Sequence, residues 1–222
     1  MDLWQFFVAN WEEIATLTGQ HLWMVVVAIT VASVIGIPAG VLVTRKPSLE
    51  KGIIGFTNVV QTIPSLALFG FLIPVPLVGG IGASTAIVAL TLYALLPIVR
   101  STHAGIKGVD PSISEAGRGM GMTDFQLLWQ VEMPLALGVI LAGIRVAAIS
   151  SVGLATIAAA IGAGGLGMFI FRGVASVNTT LILAGSIPAA LLALLADFCL
   201  GQAERRLAPG KGRTLKGERR SV

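Results

Sequence analysis

Between Lys51 and Arg100 the chain runs for 48 residues without an Asp, Glu, Lys or Arg. A helix needs about 20 apolar residues to cross the hydrocarbon core of a bilayer, so this run holds two crossings. A second charge-free run of 31 residues, 14–44, precedes it. Only 12% of the 222 residues are charged and 55% are hydrophobic. Soluble domains carry about a quarter charged residues, so a water-soluble globule of this size could not be covered. Intrinsic disorder is excluded by the same apolar content. A single Cys199 excludes a disulfide framework and a cysteine-rich metal site. The opening Met1-Asp2-Leu3-Trp4-Gln5 lacks the basic n-region of a cleavable signal, so the chain is expected to be mature as written.

The breaks divide these runs into about five transmembrane helices, an all-α integral membrane protein. The most apolar part of the first run, 22–44, is span one. Pro74-Val75-Pro76 and Gly79-Gly80-Ile81-Gly82 mark a turn between span two at 53–73 and span three at 83–99. Span four covers 135–160, and after the glycines of 162–167 span five covers 181–200. Residues 1–20, with Trp4, Phe6, Phe7 and Trp11, are expected to form a short interfacial helix, because aromatic side chains suit the headgroup level. With five spans, 13 of the 15 basic residues fall on one side, including seven in a tail at 205–222. Positive charge accumulates in the cytoplasm, so the N-terminus is expected outside and the C-terminus cytoplasmic. The tail would lie on anionic lipid. Nucleic-acid binding is not expected, since no aromatic residues interleave with its charges.

The loop at 100–133 is too long for a turn and carries its own helix signals. Asp110 before Pro111 is an N-cap with proline at the first helical position. Ser112-Ile113-Ser114-Glu115 fits a capping box. Gly117, Gly119 and Gly121 dilute helix propensity, and Thr123 or Asp124 offers a second cap before Phe125-Gln126-Leu127-Leu128-Trp129. Two short helices joined by a glycine bend, the second ended by Pro134, would form a knob on the cytoplasmic face.

Within this loop, Glu115-Ala116-Gly117, three residues, Gly121, nine residues and Val131-Glu132-Met133-Pro134 resembles the EAA signature of ABC importer permeases. The departures are Gly117 for Ala, Val131 for Ile and Met133 for Leu. Gln61-Thr62-Ile63-Pro64-Ser65-Leu66-Ala67, Gly105-Ile106-Lys107-Gly108-Val109-Asp110, Ala142-Gly143-Ile144-Arg145 and Gly162-Ala163-Gly164-Gly165-Leu166-Gly167 are similar to permeases for osmoprotectants such as glycine betaine, carnitine and choline. The resemblance spans roughly 22–206. It implies a type I ABC importer permease fold over 21–204, in which the loop docks into a groove of a cytoplasmic ATPase subunit. Glu115 would cap and anchor the helix. Gly121 would permit the bend and the partner's close approach, and Met120, Met122 and Phe125 would fill apolar pockets on the partner. A second permease subunit and an extracytoplasmic substrate-binding protein are implied too.

Arg145 stands inside span four, where an unpaired charge costs between about 2.5 and over 10 kcal/mol. It is expected to face a central cavity or pair with Asp197 as part of an inner gate; the alternative is that it snorkels to the headgroups. Gly162-x-Gly164-x-x-Gly167 matches a dinucleotide-binding pattern, but membrane spans flank it and no acidic residue stands near position 187. Gly164 and Gly165 instead border the translocation path or form a plain hairpin. Gly36-x-x-x-Gly40 suggests close helix contact within the subunit or between subunits. Pro38, Pro64, Pro97 and Pro188 imply kinks. Trp23 and Tyr93 are read as interface or packing aromatics, and His21 and His103 stand alone. No phosphate-binding Gly-x4-Gly-Lys-Ser/Thr sequence occurs, so no cofactor, metal or catalytic role is expected and ATP hydrolysis belongs to a partner. Rival readings are a permease for an amino acid such as methionine, and an ATPase-independent channel or ion-coupled carrier.

Overall fold

The structure, a computed structural model, describes residues 3–76 and 79–207; most of the basic tail lies outside the described residues. It is built from helices: α1 (Leu3–Ala9), α2 (Trp11–Arg45), α3 (Glu50–Thr62), α4 (Ser65–Leu72), α5 (Ala83–Lys107), α6 (Pro111–Gly119), α7 (Asp124–Leu127), α8 (Met133–Ile157), α9 (Gly167–Ala175) and α10 (Thr179–Leu207). Four helical stretches are long and apolar enough to cross a membrane, and a bent pair makes up to a fifth crossing.

Contacts between the long helices define their directions. Thr91 on α5 donates its hydroxyl to the Ala28 carbonyl of α2 at 3.4 Å. Farther along, Gly36 meets Ile98 and Gly40 meets Thr102. Both numbers rise together, so α2 and α5 run parallel. On α8, Gly143 lies against Ser101 and Pro97, and Ala136 lies against Gly105, so α8 runs opposite. The segment between α2 and α5 must therefore return across the bilayer. This makes α3 and α4 a crossing although they bend by 105°.

That bend is sharper than the kink expected at Pro64 within the span at 53–73. Pro64 disfavours helical dihedrals at the preceding residue, and Ile63 is extended with φ −71° and ψ 127°. The helix thus breaks rather than kinks. The freed Ile63 carbonyl accepts a hydrogen bond from the Tyr93 hydroxyl, and Gln61 Nε2 donates to the Tyr93 carbonyl at 3.1 Å. Non-helical backbone at membrane depth is tolerated where such partners exist. Pro38, Pro97 and Pro188 remain inside helices. At the N-terminus, the short helix is α1 alone; α2 begins at Trp11 and continues into span one without a break.

Between helices the contacts are made by small residues. Ala28, Ala86, Ala89 and Ala155 are buried in one cluster with Met24, Phe69 and Leu90, and Ala32, Ala94 and Ala147 form another with Ile98. Lipid tails are as apolar as leucine, so membrane helices associate by close approach of backbones rather than by escape from water. The Gly36-x-x-x-Gly40 face is spent inside the subunit. A Cβ on Gly40 would lie 2.5 Å from the Thr102 Cβ.

Candidate functional site

The loop between α5 and α8 folds as the sequence cues indicate, with two changes. Asp110 caps α6 by accepting the Ser112 backbone N–H at 2.9 Å, a bond that holds its carboxyl below the ordinary carboxylate range. Glu115 does not complete a capping box: it is exposed and takes part in no ion pair among the described residues. The capping box forms instead at α7, where Gln126 N–H donates to Thr123 Oγ1 at 3.3 Å and Thr123 N–H donates to Gln126 Oε1 at 2.9 Å.

α6 ends in a Schellman motif. The Met122 N–H reaches the Gly117 carbonyl at 3.1 Å and the Gly121 N–H reaches the Arg118 carbonyl at 2.9 Å. The residue after the cap must take a left-handed conformation, and Gly121 has φ +85°. A Cβ there would meet nothing within 4 Å, so within this chain the glycine is required by conformation rather than by crowding. Met122 turns inward and lies beside Gly117, whereas Met120 is 79% and Phe125 70% exposed. Ala116 is exposed on the same helix. Phe125 and Trp129 tilt together with ring centroids 6.2 Å apart, forming an exposed apolar ridge.

Pro134 does not end the second helix. α7 continues through a wider π turn, Leu128–Glu132, into α8, giving one helical stretch Asp124–Ile161. A proline ring inside a helix clashes with the carbonyl four residues earlier, and a π turn opens the ladder at that point. Motion of the loop is therefore continuous with motion of a membrane helix. Glu132, near the end of the signature, is 5% exposed and pairs with Arg45 at the end of α2. The sequence reading missed this pair. Its signal was present: Glu132 is the only charge between Asp124 and Arg145.

Inside the membrane, a cavity of about 610 Å³ opens between α3, α5 and α8. Its walls carry Gln61, Tyr93, Arg100, Ser150 and Ser151 among apolar residues. Arg100 also donates to Asn58 Oδ1 at 2.7 Å. Elsewhere the exposed helix faces are apolar, as with Leu191, Leu194, Leu195 and Phe198 on α10 and Val26, Val34 and Ile35 on α2. Polar groups at membrane depth face protein or a water-filled path rather than lipid. The cavity face is thus distinct from the lipid-facing surfaces.

A family model described as the binding-protein-dependent transport system inner membrane component matches residues 32–211. The chain belongs to this family. The carnitine transport permease protein OpuCB of Listeria monocytogenes is 46% identical over 204 residues, 92% of this chain and 92% of that protein. The osmoprotectant import permease protein OsmW of Salmonella typhimurium is 44% identical, covering 94% of this chain and 98% of that protein. Among solved structures, an inward-facing MetNI methionine ABC transporter chain is similar at a TM-score of 0.81 with 27% identity, covering 90% of this chain and 98% of that one. The chain is a multi-pass permease subunit of an ABC importer of the inner membrane.

In this permease Arg145 is neither free nor snorkelling alone. Its Nε donates to Asp197 Oδ1 at 2.6 Å and its Nη1 to Glu204 Oε2 at 3.4 Å, joining α8 to α10. Exchanging the charges in an Arg145→Asp/Asp197→Arg double variant should recover transport lost in the single variants. Uptake into vesicles measures this, and a double variant as inactive as the singles would sink the pairing role. Gly164 and Gly165 take left-handed φ values of +83° and +74° and pack on α2, where the Gly165 N–H donates to Gln20 Oε1 at 3.1 Å. Next to them His21 is buried and donates from Nε2 to the Val152 carbonyl at 3.0 Å. Arg145, Asp197, Gly164 and Gly165 do not line the 610 Å³ cavity, whereas Tyr93 does. The Tyr93 hydroxyl also holds the break at Ile63, where the sequence reading expected only a kink at Pro64.

Proposed function

We propose that this permease forms the membrane path of an importer for quaternary ammonium osmoprotectants such as glycine betaine, carnitine or choline. The observation that carries the substrate class is the set of relatives at 41–47% identity, each named for osmoprotectant, carnitine, glycine betaine or choline transport over at least 86% of this chain. The methionine transporter is related at only 27–29%, which favours this class over an amino acid.

Two copies, or this chain with a similar one, bring their cavity faces together around the path. An extracytoplasmic binding protein delivers cargo, and two ATPase subunits hold the loops bearing Glu115, Ala116, Gly117 and Gly121, with Met120 and Phe125 seated in apolar pockets. Pro134 marks where the loop passes into α8. Arg145 with Asp197, and Gly164 with Gly165, brace the flanks of the path as α8 moves. The chain itself is non-catalytic.

The test is uptake of labelled glycine betaine into proteoliposomes holding the permease, its ATPase and its binding protein. Uptake should require ATP and be competed by carnitine or choline but not by methionine. Uptake without ATP would sink the importer reading, and competition by methionine would sink the substrate class.

A further inference from the structure

The loop that meets the ATPase follows α5 directly, and at its other end it is tied to two more membrane helices. The first tie is covalent, through the π turn into α8, whose far half carries Val146, Ser150 and Leu154 on the cavity wall. The second is the Glu132–Arg45 pair, which lashes the root of α8 to the last residue of α2. α2 in turn is packed on α5 through Gly36 and Gly40, and α5 carries Tyr93 and Arg100 on the opposite cavity wall.

We propose that Glu132 and Arg45 are a positioning pair that makes α2 follow the loop, so that the helix behind the cavity moves on the same ATPase stroke as the cavity walls on α5 and α8. A carboxylate 5% exposed loses its hydration, and removing its partner would leave an uncompensated charge. Arg45 keeps part of its side chain open, with 31% exposed against 7% for Glu132, so the acid is the anchored member and the arginine the arm. π turns sit at functional sites where a helix must yield locally. Here Leu128, Trp129 and Met133 border an apolar cavity of about 290 Å³ against Ile37, Pro38 and Val41 of α2. Ile37 and Val41 share an apolar cluster with Leu128 and Met133 beside this cavity, so α2 meets the turn through incomplete packing, and the ion pair adds the directional link.

This inference rests on the loop being the ATPase contact. The reconstituted complex with glycine betaine and its binding protein tests both, through ATPase copurification, ATP hydrolysis and cargo uptake. Glu132→Gln removes the buried charge without leaving another, so the variant should assemble with the ATPase as the parent does. Its uptake per ATP hydrolysed should fall about tenfold, within the range of residues that couple distant sites. The Arg45→Gln/Glu132→Gln double variant should fall no further, since two members of one pair are lost once. An unchanged ratio in Glu132→Gln, or a double variant whose losses multiply, overturns the proposal. Failure of the underlying reading looks different: Phe125→Ala would then leave copurification intact.

Discussion

Replacing Gly143 with leucine should prevent the permease from assembling its helices. A Cβ at that position would lie 2.3 Å from the Ser101 Oγ, 2.4 Å from its Cβ and 2.8 Å from the Pro97 carbonyl oxygen. Two of these atoms cannot rotate away: the Ser101 Cβ is fixed to its backbone, and the Pro97 carbonyl is backbone. α5 and α8, which line the cavity from opposite sides, would have to separate at this contact. Overpacking costs about 1–3 kcal/mol where a site yields, and more where backbone must shift. The expected result is loss of the thermal unfolding transition in detergent and of stable protein in the membrane. Gly201→Ala is the control, because its Cβ would approach only the flexible end of Arg145, at 3.2 Å. A Gly143→Leu protein that melts like the parent would show that the α5–α8 contact is looser than described.

The second large effect leaves the permease itself intact. Met120→Ala and Phe125→Ala alter side chains that are 79% and 70% exposed, and surface changes of this kind move stability by less than about 0.5 kcal/mol. Apolar anchors at the centre of an interface cost about 2 kcal/mol or more when truncated, roughly thirtyfold in affinity. Each variant should fold and insert normally yet lose its ATPase in copurification and its ATP-driven uptake. Met122→Ala should act differently, because Met122 lies against Gly117 inside the loop. It should lower the loop's stability more than the partner's affinity. Equal ATPase retention by the Phe125→Ala and parent proteins would remove the loop from the docking surface.

The loop between α5 and α8 was readable because its signals are local. An Asp-Pro cap, a left-handed glycine and a threonine cap each act within four residues, and the structure uses all of them, although it moves the capping box from Ser112 to Thr123. Pro134 was misread for a comparably local reason. The rule that proline ends a helix assumes regular turns, and a single π turn relieves it. The cavity was not readable. It exists because Pro64 breaks the second crossing and because Tyr93, 30 residues away, accepts the task of satisfying the Ile63 carbonyl. No spacing along the chain announces that contact.

The sequence by itself determined that this protein lives in a membrane, about how many times it crosses and which loop leaves it. These follow from where charge is missing and where basic residues gather, and both are properties of single segments transferred between water and lipid. Which charges pair was decided by tertiary structure, which chose Arg145 with Asp197 from the alternatives the sequence offered and added Arg45 with Glu132, which the sequence reading missed. Arg145 with Asp197, and Arg45 with Glu132, are 52 and 87 residues apart. Their meeting depends on helix direction and rotation, set by glycine and alanine contacts whose geometry a linear pattern does not contain.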